Sequence, residues 1–509
     1  MSTLQRPAKR RAVRLAVHVG RRLRHRGYRK ACGIGEWTVK WARRLIELKP
    51  QYVKSVRGHD IRDHVILVNN VGMPVRVKVV KTIPWIAHCW LGRFVRWLEL
   101  LPRQDHEQRE YEECLGRMMN NIKGGRKKVA IIVHGGLKSP HRTLAASARI
   151  LAAIDDEYYP IFIIWDSWLS ALPEQLLLVR SGHYSPWGPI TAPLLLLFVY
   201  LPIGIALIPL TLISQLRSLY VGGRLSPDPA TRFTRRASKF NNSVQVPPVT
   251  YEPGNLLSWR TPLRFLRWLG QFPIRLVVAV GLNALAPPTW QNLHRRARAM
   301  FRAPQEFESL VAGPQAVPRG SDFHPAQGAV AVLAEHLIAA IGTSSDQPIE
   351  VTLIAHSMGA MITNEFMKYA GDRLSYANIV YMAPACSVRD FADAVVPVLQ
   401  RDENAHAYVL TLHPKVEVND KTGYGLLPRG SVLEWLERFL DPPSAHLDRM
   451  LGKFENVMRA LHIFPRDVRE RIRIKAFSFN ANSPTKPFKH VHFNDPDLRP
   501  PFWSAQFWV

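Results

Sequence analysis

The chain has few cysteines, and they are not spaced as a site would require. Its 509 residues contain four, Cys32, Cys89, Cys114 and Cys386. They lie far apart and none forms a Cys-x-x-Cys pair, so neither a zinc framework nor a disulfide scaffold is indicated. A reducing compartment is the simpler expectation, and we expect no metal and no organic cofactor.

Acidic residues are scarce, above all near the start of the chain. There are 40 Asp and Glu against 68 Lys and Arg, a net charge of +28. Residues 1–30 hold eleven Lys and Arg and no acid. Such an excess predicts an anionic partner, which could be a membrane surface, a nucleic acid or an acidic protein. The same stretch lacks the apolar region of a secretory signal, so we expect no export by that route.

Charge of either sign is missing between Ser181 and Leu216. The centre of this stretch, residues 190–213, is apolar enough to span a bilayer, which takes about 20 residues. However, it is interrupted by Pro193, Pro202 and Pro209. The stretch therefore predicts contact with a membrane, but not a simple spanning helix.

Topology restricts how this stretch can meet a membrane. The apolar strands predicted on either side of it belong to one sheet, which excludes an odd number of crossings between them. Either a second limb near residues 272–286 completes a hairpin, or nothing crosses and the stretch lies in the interface or forms a lid. Residues 217–267 hold nine Lys and Arg against two acids, so translocating them would leave both sides basic. This favours placement on the membrane surface.

The strongest motif lies in residues 351–366, Val-Thr-Leu-Ile-Ala-His-Ser-Met-Gly-Ala-Met-Ile-Thr-Asn-Glu-Phe. The β-branched, apolar start predicts a buried strand, and the apolar spacing that follows predicts a helix. Ser357 lies in the sharp turn between them, with small residues, Ala355 and Gly359, two positions to either side. Such a turn holds a serine hydroxyl clear of the backbone, where a base can activate it. The N–H of Met358 is the predicted oxyanion donor.

A second segment predicts the other oxyanion donor. Residues 128–137 are an apolar run that ends in His-Gly-Gly-Leu. A loop of this kind, upstream of a serine elbow, supplies an N–H to the oxyanion, here from Gly136 or Leu137.

The remaining apolar runs predict the fold class. They occur near residues 161–166, 379–383, 407–412 and 473–479, and helical patterns lie between them. Strands that alternate with helices indicate an α/β fold with a mostly parallel sheet and helices on both faces.

The general base is expected after the last strand, where His490 and His492 occur. A related set of hydrolases has a His-x-x-aromatic step followed by a Phe-Trp pair. His490 fits that step through Phe493, with Phe502 and Trp503 beyond, so we favour His490. The alternative role for His492 is packing or surface exposure. No third ligand accompanies the two histidines, so a metal site is not supported.

The acid that would orient the imidazole has three candidates. The expected chain order is serine, acid, histidine. Glu417 and Asp420 follow the run at 407–412, whereas Asp390 follows the preceding strand. A carboxylate in the position of Asp390 more commonly begins a helix. We place the acid at Glu417 and keep Asp420 and Asp390 as alternatives.

Together these segments resemble the α/β-hydrolase superfamily, in its lipase/esterase-like branch. The resemblance runs from about Lys128 to the C-terminus, around a large insertion, and rests on the serine elbow, the His-Gly-Gly loop and His490. Ala355 departs from the glycine that is usual there. The resemblance implies the α/β-hydrolase fold and ester hydrolysis through an acyl-serine intermediate.

The chain is expected to divide into four parts. These are a basic arm at 1–60, the first part of the core at 61–180, an apolar and basic insertion at 181–327, and the second part of the core at 328–509. A helical cap is expected near 431–465.

The sequence thus predicts a membrane-associated serine hydrolase that faces the cytoplasm and acts on an ester, with lipid esters favoured by the apolar insertion. An anionic membrane surface is the expected partner. One alternative is a soluble-ester or thioester hydrolase with a membrane anchor. Another is a non-catalytic membrane or nucleic-acid adaptor on a hydrolase scaffold. The sequence contains no recognised nucleic-acid motif, which counts against nucleic acid as the partner.

Overall fold

The computed structural model describes most of the chain between residues 51 and 509. The described residues are 51–54, 60–70, 72–75, 77–80, 104–124, 128–136, 139–155, 157–167, 194–209, 211–213, 244–245, 270, 272–301, 328–342, 349–420, 430–478 and 487–509. Most of the predicted basic arm at 1–60 therefore lies outside them.

The described residues contain ten strands. In chain order they are β1 (Gln51–Lys54), β2 (Val65–Val68), β3 (Val77–Val80), β4 (Lys128–Val133), β5 (Tyr158–Trp165), β6 (Val244–Gln245), β7 (Glu350–His356), β8 (Asn378–Met382), β9 (His406–Leu412) and β10 (Ile472–Phe477).

Eight of these strands form one sheet in the order β2-β5-β4-β7-β8-β9-β10-β6, while β1 and β3 pair separately. Every neighbouring pair in the large sheet is parallel. The predicted α/β class and parallel sheet are therefore confirmed.

Helices connect the strands. They are α1 (Gln104–Lys123), α2 (Pro140–Leu151), α3 (Leu201–Ala206), α4 (Phe272–Ala299), α5 (Ala329–Gly342), α6 (Gly359–Ala370), α7 (Val388–Arg401), α8 (Pro414–Asn419), α9 (Val432–Trp435), α10 (Phe454–Ala460), α11 (Arg466–Arg469) and α12 (Ala505–Trp508). A π-helical turn, Leu196–Tyr200, leads directly into α3.

The central strands are buried along their length because they are continuously apolar. In β4 and β7 every residue after the first is buried, and the same holds for β8. Since side chains alternate between the faces of a strand, such continuous burial means that both faces of the sheet are covered. In β10, by contrast, buried and half-buried residues alternate.

The order of the strands places a crevice between β4 and β7. After β4 the chain moves outward to β5, whereas β7, β8, β9 and β10 follow one another in the opposite direction. In open parallel sheets, ligands bind beyond the carboxyl ends of the strands at the point where the order reverses. Here the loop after β4 and the turn after β7 meet at that point, and these carry the two motifs singled out from the sequence.

Near its midpoint the insertion contributes a short strand, β6, to the edge of the large sheet. The sequence did not predict this strand. Val244 and Gln245 pair with Ile474 and Lys475 of β10. The chain between β5 and β7 therefore makes two excursions from the sheet, one on either side of β6.

Part of the predicted cap packs against the segment that follows β8. The N–H of Leu451 donates to the carbonyl of Cys386 at 2.8 Å, and that of Gly452 donates to the carbonyl of Pro384 at 3.0 Å. Lys453 lies between Glu434 and Glu437, with its Nζ 2.7 and 2.9 Å from their carboxylates. These contacts hold the segment at the carboxyl edge of the sheet.

Candidate active site

Ser357 occupies the turn between β7 and α6 in a left-handed backbone conformation. Its φ is 52°, which a serine adopts only where its surroundings enforce it. Its N–H donates to the carbonyl of Met382 at 2.9 Å, and its own carbonyl accepts from the N–H of Ala385 at 2.9 Å. The turn is thus held on one side by the end of β8. In a nucleophile elbow, strain of this kind keeps the serine side chain exposed at the tip of the turn.

Gly359 shows why the position two residues after the serine must be small. A Cβ placed there would lie 2.6 Å from the carbonyl oxygen of Val133 and 2.9 Å from that of His134. Both atoms belong to the backbone of β4 and its following loop, so neither can move like the end of a side chain. The close approach of α6 to β4 therefore depends on the glycine.

Replacing Gly359 by alanine is expected to destabilise the fold by about 1–3 kcal/mol, the usual cost of forcing an extra carbon into a packed core. The reactivity of Ser357 should fall with it, because relief requires α6 to move away from the loop after β4. Urea unfolding measures the first effect. Gly116→Ala is the control: no atom lies within 4 Å of a Cβ at that glycine of α1, so it should be neutral or stabilise by up to about 1 kcal/mol. Equal losses from both changes would contradict the account.

The loop after β4 lies directly against the serine turn. A Cβ on Gly135 would lie 3.0 Å from the Cβ of Ser357, and one on Gly136 would overlap the side chain of Met358. The two glycines therefore let this backbone come close to Ser357. His134 fixes the loop from the other side, because its Nε2 accepts from the N–H of Trp165 at 3.0 Å.

Both predicted oxyanion segments thus meet beside Ser357. Met358 stands at the N-terminus of α6, where the helix dipole favours negative charge. Gly136 lies against it. Leu137, the other candidate in this loop, lies outside the described residues.

His490 lies against the serine. Its Nε2 is 2.8 Å from Ser357 Oγ, and both residues are buried. At this distance the ring can accept the hydroxyl proton. His492 lies elsewhere, with its ring 4.5 Å from that of Phe488. The structure therefore brings together Ser357 and the histidine that the sequence favoured.

His356 also contacts His490, which the sequence analysis missed. Its Nε2–H donates to the backbone carbonyl of His490 at 3.0 Å, and the ring centroids are 5.1 Å apart. The only available signal was a histidine next to the nucleophile in the motif. The contact holds the backbone of His490 to the end of β7.

Of the three acid candidates, Asp420 is the one whose side chain contacts His490. Its Oδ2 accepts the backbone N–H of His490 at 3.1 Å, and the residue is buried at the end of α8. The backbone of His490 is therefore held twice, by Asp420 at its N–H and by His356 at its carbonyl.

The carboxylate of Glu417, the preferred acid in the sequence analysis, is bound elsewhere. Its Oε1 accepts from the hydroxyl of Ser431 at 2.6 Å. Burial, reinforced by the neighbouring Glu434 and Glu437 and opposed by Lys453, raises the pKa of Glu417 to about 8. At neutral pH a carboxyl with this pKa is mostly uncharged, so it is poorly suited to stabilise an imidazolium.

Asp390 has the structural role that the sequence suggested as its alternative. Its side chain accepts from the N–H and the hydroxyl of Ser387, whose own Oγ accepts the N–H of Asp390 at 3.0 Å. This reciprocal arrangement is a capping box at the start of α7. No cluster of three or more His, Cys, Asp or Glu residues suited to a metal ion occurs in the described part of the chain.

Comparisons of the chain with protein-family models, with curated proteins and with solved structures find no significant match. The geometry of the site therefore carries the functional proposal.

Proposed function

We propose that this protein is a serine hydrolase of the α/β-hydrolase fold that cleaves carboxylic esters. The observation that carries the proposal is the 2.8 Å contact between His490 Nε2 and the Oγ of Ser357, a serine held at φ 52° between a buried parallel strand and a helix. A histidine that only packed against Ser357 would require neither the strained backbone of that serine nor Gly135 and Gly136 opposite it. A nucleophile requires both.

The chemistry follows from the contacts. Ser357 Oγ attacks the acyl carbonyl while His490 Nε2 takes its proton, and the carbonyl oxygen becomes an oxyanion. The N–H groups of Met358 and of Gly136 or Leu137 stabilise that charge. His490 then protonates the leaving alcohol, which departs and leaves an acyl-serine. Water, deprotonated by the same nitrogen, attacks this ester, and Ser357 recovers its proton as the acid is released.

We assign the acid to Asp420 in place of Glu417. Asp420 is the candidate that contacts His490, whereas Glu417 binds Ser431 and has a raised pKa. Asp420 contacts the backbone N–H of His490, so its carboxylate lies close to the residue whose imidazolium forms during attack, and a negative charge there would stabilise that imidazolium.

Lipid esters are the proposed substrate class. The support is the row of exposed apolar side chains on the insertion, including Leu197, Phe198 and Ile205. Such a surface suits an enzyme whose substrate comes from an apolar phase. Turnover of esters of graded acyl length should increase with length. Equal turnover of short and long esters would instead favour a soluble ester or a thioester as the substrate.

The proposed function is tested by labelling the full-length protein with a fluorophosphonate probe and mapping the adduct by peptide mass spectrometry. An activated serine reacts with the probe, whereas an ordinary serine does not. We expect one adduct, on Ser357, that is lost when the protein is first unfolded. Folded protein that remains unlabelled both in detergent and with lipid vesicles would favour the non-catalytic adaptor.

A further inference from the structure

Two neighbouring helical segments of the insertion expose apolar side chains to solvent. The first runs from Leu196 through α3, and the second is the N-terminal part of α4. Phe198 is 69% exposed and Val277 is 72% exposed. Exposed with them are Leu197, Ile203, Ile205 and Ile274. We call this set the apolar surface. Contiguous exposed patches of this kind mark sites of interaction.

The two segments pack together through their small and polar residues. A Cβ on Gly204 would lie 2.6 Å from the carbonyl oxygen of Val280, so the glycine allows a close approach. Thr211 donates to Asn283 Oδ1 at 2.8 Å, and Asn283 Nδ2 donates to the carbonyl of Gly204 at 3.4 Å. Polar groups are therefore satisfied between the segments while apolar groups face outward. This is the arrangement expected of helices in lipid rather than in water.

The pair is fixed to the body of the protein by the rest of α4. Trp290 and Leu293 are buried in the main core, and Trp290 Nε1 donates to Asp441 at 3.2 Å. Arg296 and Asp166, both buried, form an ion pair at 3.4 Å just beyond the end of β5. The apolar surface, and any partner bound to it, therefore keeps a fixed position relative to the carboxyl edge of the sheet, where Ser357 lies.

The sheet limits how the segments can meet a bilayer. Residues 244–245 pair with β10, so β5, β6 and β7 all belong to one sheet. An odd number of crossings is excluded both between β5 and β6 and between β6 and β7. A hairpin with one limb in each interval, the second near residues 272–286, is therefore ruled out.

Two crossings within the first interval are disfavoured by length. They need about 40 apolar residues, and the uncharged stretch, Ser181 to Leu216, has 36.

The described residues of the second interval also disfavour a span. Among the described residues no single helix is long and apolar enough to cross a membrane, although the bent pair Phe272–Gly281 and Asn283–Ala299 passes by length and composition together. The C-terminal member of that pair carries Trp290 and Leu293, which are already buried in the protein. The apolar part that remains, ten residues from Phe272 to Gly281, is about 15 Å long, half of the hydrocarbon thickness of about 30 Å.

We propose that the apolar surface inserts into one leaflet of an anionic membrane and holds the protein on it without crossing. Charge favours a membrane over a second copy of the chain. Residues 217–267, which connect the two segments, carry nine Lys and Arg against two acids. Anionic headgroups would attract this segment, whereas a second +28 chain would be repelled. The apolar surface also supports the lipid-ester substrate proposed above, but membrane binding depends on no feature of the catalytic chemistry.

The test is flotation of full-length protein with phosphatidylcholine vesicles, with and without phosphatidylglycerol. The double variant Phe198→Glu, Val277→Glu should bind at least about 100-fold more weakly, because it loses the burial of two apolar side chains and adds two carboxylates that anionic headgroups repel. Wild type should bind better when phosphatidylglycerol is present.

The matched control is Ile463→Glu, which changes an apolar residue that is 47% exposed and lies outside the apolar surface. This variant should bind like wild type. Fluorophosphonate labelling in detergent should be the same in all three proteins, which separates membrane binding from the hydrolase proposal.

Two results would overturn the inference. One is flotation of the double variant at the wild-type level. The other is a wild-type protein that does not bind vesicles but forms dimers, while the double variant forms none. The apolar surface would then bind a second copy of the chain.

Insertion into one leaflet is tested separately with Ser226→Cys in a chain whose four native cysteines are replaced by alanine. The new thiol should react with an impermeant maleimide added outside the vesicles. Reaction with maleimide enclosed inside them would show that the connecting segment had crossed.

Discussion

Replacing Ser357 by alanine is expected to lower kcat for ester hydrolysis by about 10⁶-fold, the loss found when a triad serine is removed. The hydroxyl is the attacking group in the proposed reaction, and no other atom in the turn can form the acyl intermediate. Residual activity should come from the oxyanion donors and substrate binding alone. The measurement is initial rates with a chromogenic ester, with unfolding midpoints to verify that the variant is folded.

Ser147→Ala is the matched control for that loss. Ser147 is a buried serine on α2, outside the site, so its removal should leave kcat within about twofold and alter stability only slightly. A Ser357→Ala protein that is folded and still active would show that another residue is the nucleophile.

The strands of the fold were accessible from the sequence because burial on both faces makes a parallel strand continuously apolar. The apolar runs within residues 128–137 and at 407–412 were recognised in this way, and the structure places β4 at Lys128–Val133 and β9 at His406–Leu412. β6 gave no such signal. It has two residues in a Pro- and Ser-rich stretch and joins β10 through backbone hydrogen bonds, which do not depend on an apolar pattern.

The length of α4 was hidden by two prolines. Pro287 and Pro288 lie inside the helix, and proline normally ends or kinks one. The apolar limb was therefore expected to stop near residue 286, whereas the helix continues to Ala299. Because its later residues pack in the core, α4 is not a membrane limb. Its C-terminal part belongs to the core, and its N-terminal part carries residues of the apolar surface.

The contact between Ser357 and His490 could be predicted because each residue belongs to a local pattern, but the contact of Asp420 with His490 could not. Glu417 and Asp420 are three residues apart, and sequence distance from the strand does not distinguish them. The deciding feature is α8, whose one and a half turns direct Glu417 to Ser431 and place Asp420 beside His490. Pro414 at the first helical position was the available signal for that helix.

The burial of Glu417 should make the free energy of unfolding depend on pH. Burial raises its pKa from 4.5 to about 8 in the folded chain. Between these values the unfolded chain has released the proton that the folded chain keeps, so stability falls as pH rises, by roughly 1.4 kcal/mol per pH unit. Glu417→Gln removes this dependence. In urea unfolding the variant should match wild type near pH 4 and exceed it at pH 8.

Asp420→Asn is expected to lower kcat by about 10³- to 10⁴-fold, as for the acid of other serine triads. Asparagine keeps the shape of the side chain but loses the charge that stabilises the imidazolium of His490. Glu417→Gln is the matched control, since it makes the same change three residues away; because the pKa of Glu417 is about 8, its carboxyl is mostly neutral at pH 7, and kcat should stay within about threefold there. Both variants should label with fluorophosphonate more strongly than Ser357→Ala. If Glu417→Gln loses activity and Asp420→Asn does not, the acid is Glu417, and α8 must rearrange when substrate binds.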